Sequence, residues 1–139
     1  MLLREDAVLL AFETLQKKSR HDAYRYDPVL WADEVLGIFL WSKQREILES
    51  LVLHKKTAVK SCHSVGKTFI SAVAVCWWIS TRPMGIVRST APTFHQVSQL
   101  LWKEIRQLHA AHDLIGEVNQ KDEWKTNIGG AVNVAGSGQ

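Results

Sequence analysis

Residues 56–70, Lys-Thr-Ala-Val-Lys-Ser-Cys-His-Ser-Val-Gly-Lys-Thr-Phe-Ile, hold the side chains with the clearest chemical capacity in this chain. They read as a short strand at 56–60, a loop at 61–65, then Gly66-Lys67-Thr68 opening an apolar helix. Such an arrangement can hold a nucleoside triphosphate. Backbone N–H groups of the loop point at phosphate oxygens, and the helix start adds its positive dipole end. Lys67 would reach the β- and γ-phosphates, and Thr68 would place its hydroxyl on Mg²⁺.

The usual phosphate-loop pattern, Gly-x-x-x-x-Gly-Lys-[Ser/Thr], is broken at its first position, where Ser61 stands. The tripeptide alone is weak, and its surroundings strengthen it. Thr57-Ala58-Val59 reads as a buried strand. Phe69, Ile70, Ala72, Val73, Val75, Cys76, Trp77 and Ile79 form a helix apolar almost all round, as in helices packed against a sheet. The competing reading is an ordinary strand–turn–helix with no ligand.

Several other elements must position this loop. Residues 5–18 are helical by pattern, with Val8, Leu9, Phe12 and Leu15 on one face and charges opposite. Asp27-Pro28 places an N-cap before a proline at the first helical position, and Gly37 sits where that helix would end. Ser42 is expected to cap a further helix carrying Ile47, Leu48, Leu51 and Val52. After the helix at 66–81, Arg82-Pro83-Met84-Gly85 is a turn and residues 86–90 a second strand. Thr93 and Gln96 form a capping box for a helix over 94–110. Residues 120–139 suggest two short strands around Asn127-Ile128-Gly129-Gly130 and a flexible Gly136–Gln139 end. Strand, loop, helix, strand, helix is the opening of an α/β sheet, whose ligands bind at the carboxyl ends of the strands. Lys67 and the turn at Thr90–Thr93 would then share one edge.

Composition sets limits. The chain has 139 residues, 46% hydrophobic and 22% charged, which is globular rather than disordered. A net charge of +3 and a pI of about 9.0 are compatible with a nucleic-acid partner and equally with a plain basic surface. Cys62 and Cys76 form no Cys-x-x-Cys pair, so a reducing, cytoplasmic setting is the default. The histidines show no metal-ligand spacing; His109 and His112 read as surface helix residues. No secretory signal is evident at the N-terminus, and the apolar run from Phe69 to Ile79 is too short to span a bilayer.

In order and spacing, the stretch from about Asp27 to Arg106 resembles the N-terminal ATPase domain of the large terminase subunits of tailed bacteriophages. The elements are Trp41-x-x-Gln44, Lys60 entering the loop, Gly66-Lys67-Thr68, Thr90-Ala91-Pro92-Thr93, Gln96-Val97 and Trp102-Lys103-Glu104-Ile105-Arg106. The resemblance implies an α/β fold: part of a P-loop NTPase (RecA/ASCE-like) three-layer sandwich with an N-terminal helical segment. Residues 1–54 would be that segment, carrying the adenine-side glutamine, and residues 55–139 a truncated ATPase core. It further implies ATP with Mg²⁺ as cofactors, bound by Gln44 at the adenine edge and by Lys60, Ser61, Cys62, His63, Ser64, Val65, Gly66, Lys67 and Thr68. Trp41 would pack near the base, and Thr68 would face the metal. His63 stands where some members carry an arginine toward the γ-phosphate. Thr90, Thr93 and Gln96 would couple nucleotide state to DNA. Implied partners are double-stranded DNA, the small terminase subunit and the portal, with a homo-oligomeric ring in the full motor, in the host bacterial cytoplasm.

The family's acidic pair lies downstream of the phosphate loop and would fall beyond Gln139, as would its coupling motif and nuclease domain. The apolar-Asp-Glu run ending in Asp33-Glu34 precedes the loop and reads as helix surface. The chain is therefore expected to bind nucleotide and to hydrolyse it slowly or not at all. Two alternatives stay open. One is another P-loop nucleic-acid motor such as a helicase. The other is a degenerate, non-hydrolysing module for nucleotide binding or interaction.

Overall fold

A computed structural model of the chain describes residues 2–60 and 66–134. It is a mixed α/β structure with a small four-stranded sheet.

The helices start and stop where local chemistry dictates. Helix α1 spans Leu2–Tyr26, well beyond the expected 5–18. Asp27 Oδ1 accepts the Leu30 N–H at 3.0 Å and caps α2 (Pro28–Trp31), which has proline in its first turn. A π-helical turn, Ala32–Leu36, continues α2 and closes on Gly37 in the left-handed conformation. Helix α3 spans Ser42–Leu53. Its N-cap is Trp41 rather than Ser42. The Gln44 Oε1 reaches back to the Trp41 N–H at 3.4 Å and takes up a donor the helix cannot use.

Helix α4 (Lys67–Thr81) is the centre of the core. Its Ile70, Val73, Cys76, Trp77 and Ile79 are buried in one cluster with Trp31, Leu36, Leu48, Trp102, Ile105 and Val132. Each large side chain removed from water in this way contributes about 1.5–3 kcal/mol. The core draws on residues of both 1–54 and 55–139, so the two segments share one apolar interior.

Met84 takes a positive φ of 56° in the turn after α4, and its N–H bonds to Ile128 O at 2.8 Å. Strand β1 (Ile86–Ser89) follows. The helix expected over 94–110 is composite: α5 (Phe94–Gln96), a π-helical turn (Val97–Leu101) and α6 (Trp102–His112). Strands β2 (Glu117–Val118), β3 (Trp124–Lys125) and β4 (Ala131–Val134) complete the sheet in the order β1-β4-β3-β2. Strands β1 and β4 are parallel, and the other two pairings are antiparallel. The parallel pair is tied to α6 by side chains: Trp102 Nε1–H donates to Ser89 Oγ at 3.2 Å, and Ser89 donates to Asn133 O at 3.1 Å.

One further expectation changes here. Residues 56–60 carry no strand, and Ala58 and Val59 are exposed rather than buried. A strand needs a neighbour for its backbone groups, and among the described residues none pairs with this segment. It is held by its side chain instead, through a 2.9 Å hydrogen bond between the hydroxyls of Ser50 and Thr57. The apolar face of α1 is also uncovered, with Val8, Leu9, Phe12 and Leu15 all exposed. The Gly136–Gln139 end lies outside the described residues.

Candidate nucleotide-binding site

The start of α4 organises the candidate site. Gly66 is its N-cap, at φ 75° and ψ 22°. An L side chain seldom adopts this left-handed conformation, which glycine takes without cost. The Gly66 carbonyl accepts the Ile70 N–H at 3.0 Å and starts the helix. A glycine cap has no side chain to offer the first-turn N–H groups, which suits an anion at that end. Ser71 turns its hydroxyl back onto Lys67 O at 2.8 Å.

Lys67 borders three cavities. The first, of about 410 Å³, lies between α3, residues 57–60 and the start of α4. Its apolar walls come from Trp41, Ile47, Val59 and Ile70, and its polar groups include Gln44, Ser50, Thr57 and Lys60. The second, of about 200 Å³, joins Lys67, Thr68 and Ser71 to Thr90, Ala91 and Gln96 across the carboxyl end of β1. A third, of about 350 Å³, runs along α4 from Lys67 to Ala74 beside Leu51 and Thr57.

Gln44 is not a surface helix glutamine. It is 8% exposed, and its Nε2 lies beside Gly66. With Oε1 occupied by the Trp41 N–H, the amide presents its nitrogen end toward the Gly66 turn that starts α4. Trp41 is 45% exposed at the mouth of the large cavity, where a flat ring can pack on it. Lys43 and Glu46 form an exposed 3.1 Å ion pair on the same rim.

The residues expected from the sequence fall into three groups. Gln44, Trp41, Lys60 and Lys67 are brought to the large cavity, and Thr68, Thr90 and Gln96 share the smaller one. Thr93 serves as a helix cap: its Oγ1 accepts the Gln96 N–H at 3.3 Å, and it borders neither cavity. Ser61, Cys62, His63, Ser64 and Val65 lie outside the described residues. Asp33 and Glu34 are exposed on the π-helical turn, with Glu34 accepting the Tyr24 hydroxyl, and neither borders the cavities of Lys67.

Sequence reasoning missed Ser50, Glu46 and Ser71. Ser71 follows Lys67 by four residues, one helical turn on, and that spacing was a usable signal. His109 was also misplaced as a surface residue. It is partly buried, its Nε2 lies 3.0 Å from Gly116 O, and its ring meets Trp124 edge-on. Among the described residues, no group of three or more His, Cys, Asp or Glu side chains could hold a metal ion, and no helix is long and apolar enough to cross a membrane.

Set against protein-family models, curated proteins and solved structures, the chain matches none.

Proposed function

We propose that this chain binds a nucleoside triphosphate, ATP with Mg²⁺, at the start of α4, as the ATP-binding part of a DNA-translocating motor like the phage large terminase subunits. The observation that carries this reading is the position of Lys67, on the border between a base-sized cavity and the pocket of Thr68, Thr90 and Gln96. A base in the first cavity, bounded by Trp41, Ile47 and Gln44, would leave its phosphates at the Gly66-Lys67-Thr68 turn. The Lys67 ammonium would then neutralise phosphate charge, and the α4 dipole would add to it.

The residues present suit the cofactor. Mg²⁺ is usually held by one or two protein ligands together with phosphates rather than by an all-protein cage. The Thr68 hydroxyl is the protein group offered here. When bound, the metal would neutralise charge on the phosphates. The P-loop NTPase core, the packaging role, and the DNA, small-subunit and portal partners belong to the same proposal. Its support is the Gln44–Gly66–Lys67–Thr68 geometry together with the order of motifs in the sequence.

Calorimetric titration of ATP with Mg²⁺ into the wild-type chain and Lys67→Ala tests it. Saturable heat in the wild type, lost in the variant, is the expected result. A folded wild-type chain that shows no saturable binding overturns the reading.

A further inference from the structure

The large cavity beside α3 contains a charge that phosphate binding does not explain. Lys43, Glu46, Ile47 and Ser50 line it at i, i+3, i+4 and i+7, so they share one face of that helix. Among the described residues bordering the three cavities of Lys67, Glu46 is the one acidic side chain. A carboxylate repels a polyphosphate, so its place in such a site calls for a hydrogen-bond donor on the ligand. Its partner in the structure is Lys43, whose Nζ lies 3.1 Å from Oε2. The two side chains are 70% and 69% exposed, and an ion pair so open to water holds Glu46 weakly.

The other side-chain acceptors on these walls are engaged. Gln44 Oε1 takes the Trp41 N–H, and the hydroxyls of Ser50 and Thr57 bond each other at 2.9 Å. Glu46 is thus the acceptor of the α3 wall with capacity for a ligand. Its neighbour Ile47 belongs, with Trp41, to the apolar walls on which a base would pack. The base is the part of a nucleotide packed inside, and the ribose joined to it would lie at the mouth, where the exposed Glu46 stands. An ionised carboxylate has two oxygens and accepts two hydroxyls at once, and the sugar presents two on neighbouring carbons. Acidic side chains take ribose hydroxyls in the same way in dinucleotide sites. We propose that Glu46 accepts the ribose hydroxyls of the bound nucleotide and makes this site select ribonucleotides over 2′-deoxyribonucleotides, a selectivity that rests on the nucleotide-binding reading above.

Calorimetric titration of the full chain with ATP and with 2′-deoxy-ATP, each with Mg²⁺, tests it. The wild type is expected to bind ATP at least about fivefold more tightly. Glu46→Ala should bring the two within about twofold by weakening ATP, with helix content unchanged. The deoxy nucleotide should bind that variant no more weakly than the wild type, because a negative charge has left the site. Glu46→Gln, which keeps one acceptor oxygen, should fall between. Equal affinities in a wild type whose ATP binding is lost in Lys67→Ala overturn the proposal and leave the nucleotide site standing. So does a preference that survives Glu46→Ala. A Glu46→Ala variant that alters ATP against GTP, and not ATP against 2′-deoxy-ATP, would put the carboxylate on the base and overturn it too. A folded wild type that binds neither nucleotide overturns the nucleotide reading and this selectivity together.

Discussion

The side-chain nitrogen of Gln44 lies 3.0 Å from the point where a Cβ on Gly66 would stand. The residue that caps α3 and the residue that starts α4 therefore touch, although they are far apart in the chain. One contact links the wall of the base-sized cavity to the turn expected to meet phosphate.

That contact makes Gly66 intolerant of a side chain for two separate reasons. Its φ of 75° disfavours any L residue, and a methyl group would press on the Gln44 amide. Gly66→Ala is expected to cost about 1–2 kcal/mol of stability, measured by urea unfolding, and to abolish nucleotide binding. Gly66→Asn should be less destabilising, since asparagine tolerates the left-handed region. Equal stability of the alanine variant and the wild type would contradict the geometry.

Gln44 has two roles that substitution can separate. Gln44→Ala removes both the acceptor for the Trp41 N–H and the amide facing the cavity. Gln44→Glu keeps an acceptor and removes the N–H donors. If the amide reads the base, both variants should lose preference for ATP over GTP, by at least about tenfold in relative Kd. The alanine variant should also lose about 0.5–1 kcal/mol of stability through the cap, whereas the glutamate variant keeps the cap acceptor and bears the separate cost of a carboxylate at a buried position. Unchanged base preference in both would confine Gln44 to a structural role.

What was legible in the sequence was local. Asp27 before Pro28, Gly37 in the left-handed cap and Thr93 beneath Gln96 are determined within a few residues, and all three appear in the structure. So is α4, whose apolar character almost all round demands burial. The strand expected at 56–60 depended on a neighbour that local pattern cannot supply, and Thr57 is instead held by Ser50. The Val8–Leu15 stripe was visible, but not that the rest of the described chain leaves it uncovered. The approach of Gln44 to Gly66 and of His109 to Trp124 depends on how elements pack, which periodicity does not encode. Of the candidate site, the individual residues and the shared edge of Lys67 and Thr90 were readable, and the cavity that joins Lys67 to Trp41 and Gln44 was not.

Arg106 tests the packing of the sheet's far side. It donates to Asp122 Oδ1 at 2.5 Å and to Asn119 O at 2.6 Å, and the Asp122 side chain is only 6% exposed. Asp122 also sits at φ 56°. Removing the guanidinium leaves a buried carboxylate without its cation. Arg106→Met is expected to cost about 2–3 kcal/mol in urea unfolding, less than for a fully buried pair because Arg106 remains partly exposed. Adding Asp122→Asn should recover part of that loss, because the buried charge is gone and asparagine accepts the left-handed backbone. A cost below about 0.5 kcal/mol would place this pair among ordinary surface ion pairs.

Cys76 provides a pH signature for the α4 core. Burial pushes its thiol up from an ordinary value of 9.0 to about 12, opposed weakly by a backbone hydrogen bond. The folded chain therefore keeps the thiol protonated where the unfolded chain ionises it. The stabilisation is complete below about pH 9 and is lost as pH rises toward the folded value of about 12. From this thiol alone the slope is at most about 1.4 kcal/mol per pH unit. Urea unfolding of wild type and Cys76→Ala between pH 8 and pH 10.5, which brackets the onset at the ordinary value, isolates it. The variant is expected to be less stable throughout, because α4 gains a small void, yet to lose stability less steeply above pH 9. Contributions common to both proteins cancel in the comparison. Parallel slopes would mean that Cys76 ionises as readily in the folded chain as in the unfolded one, which a buried position in α4 does not allow.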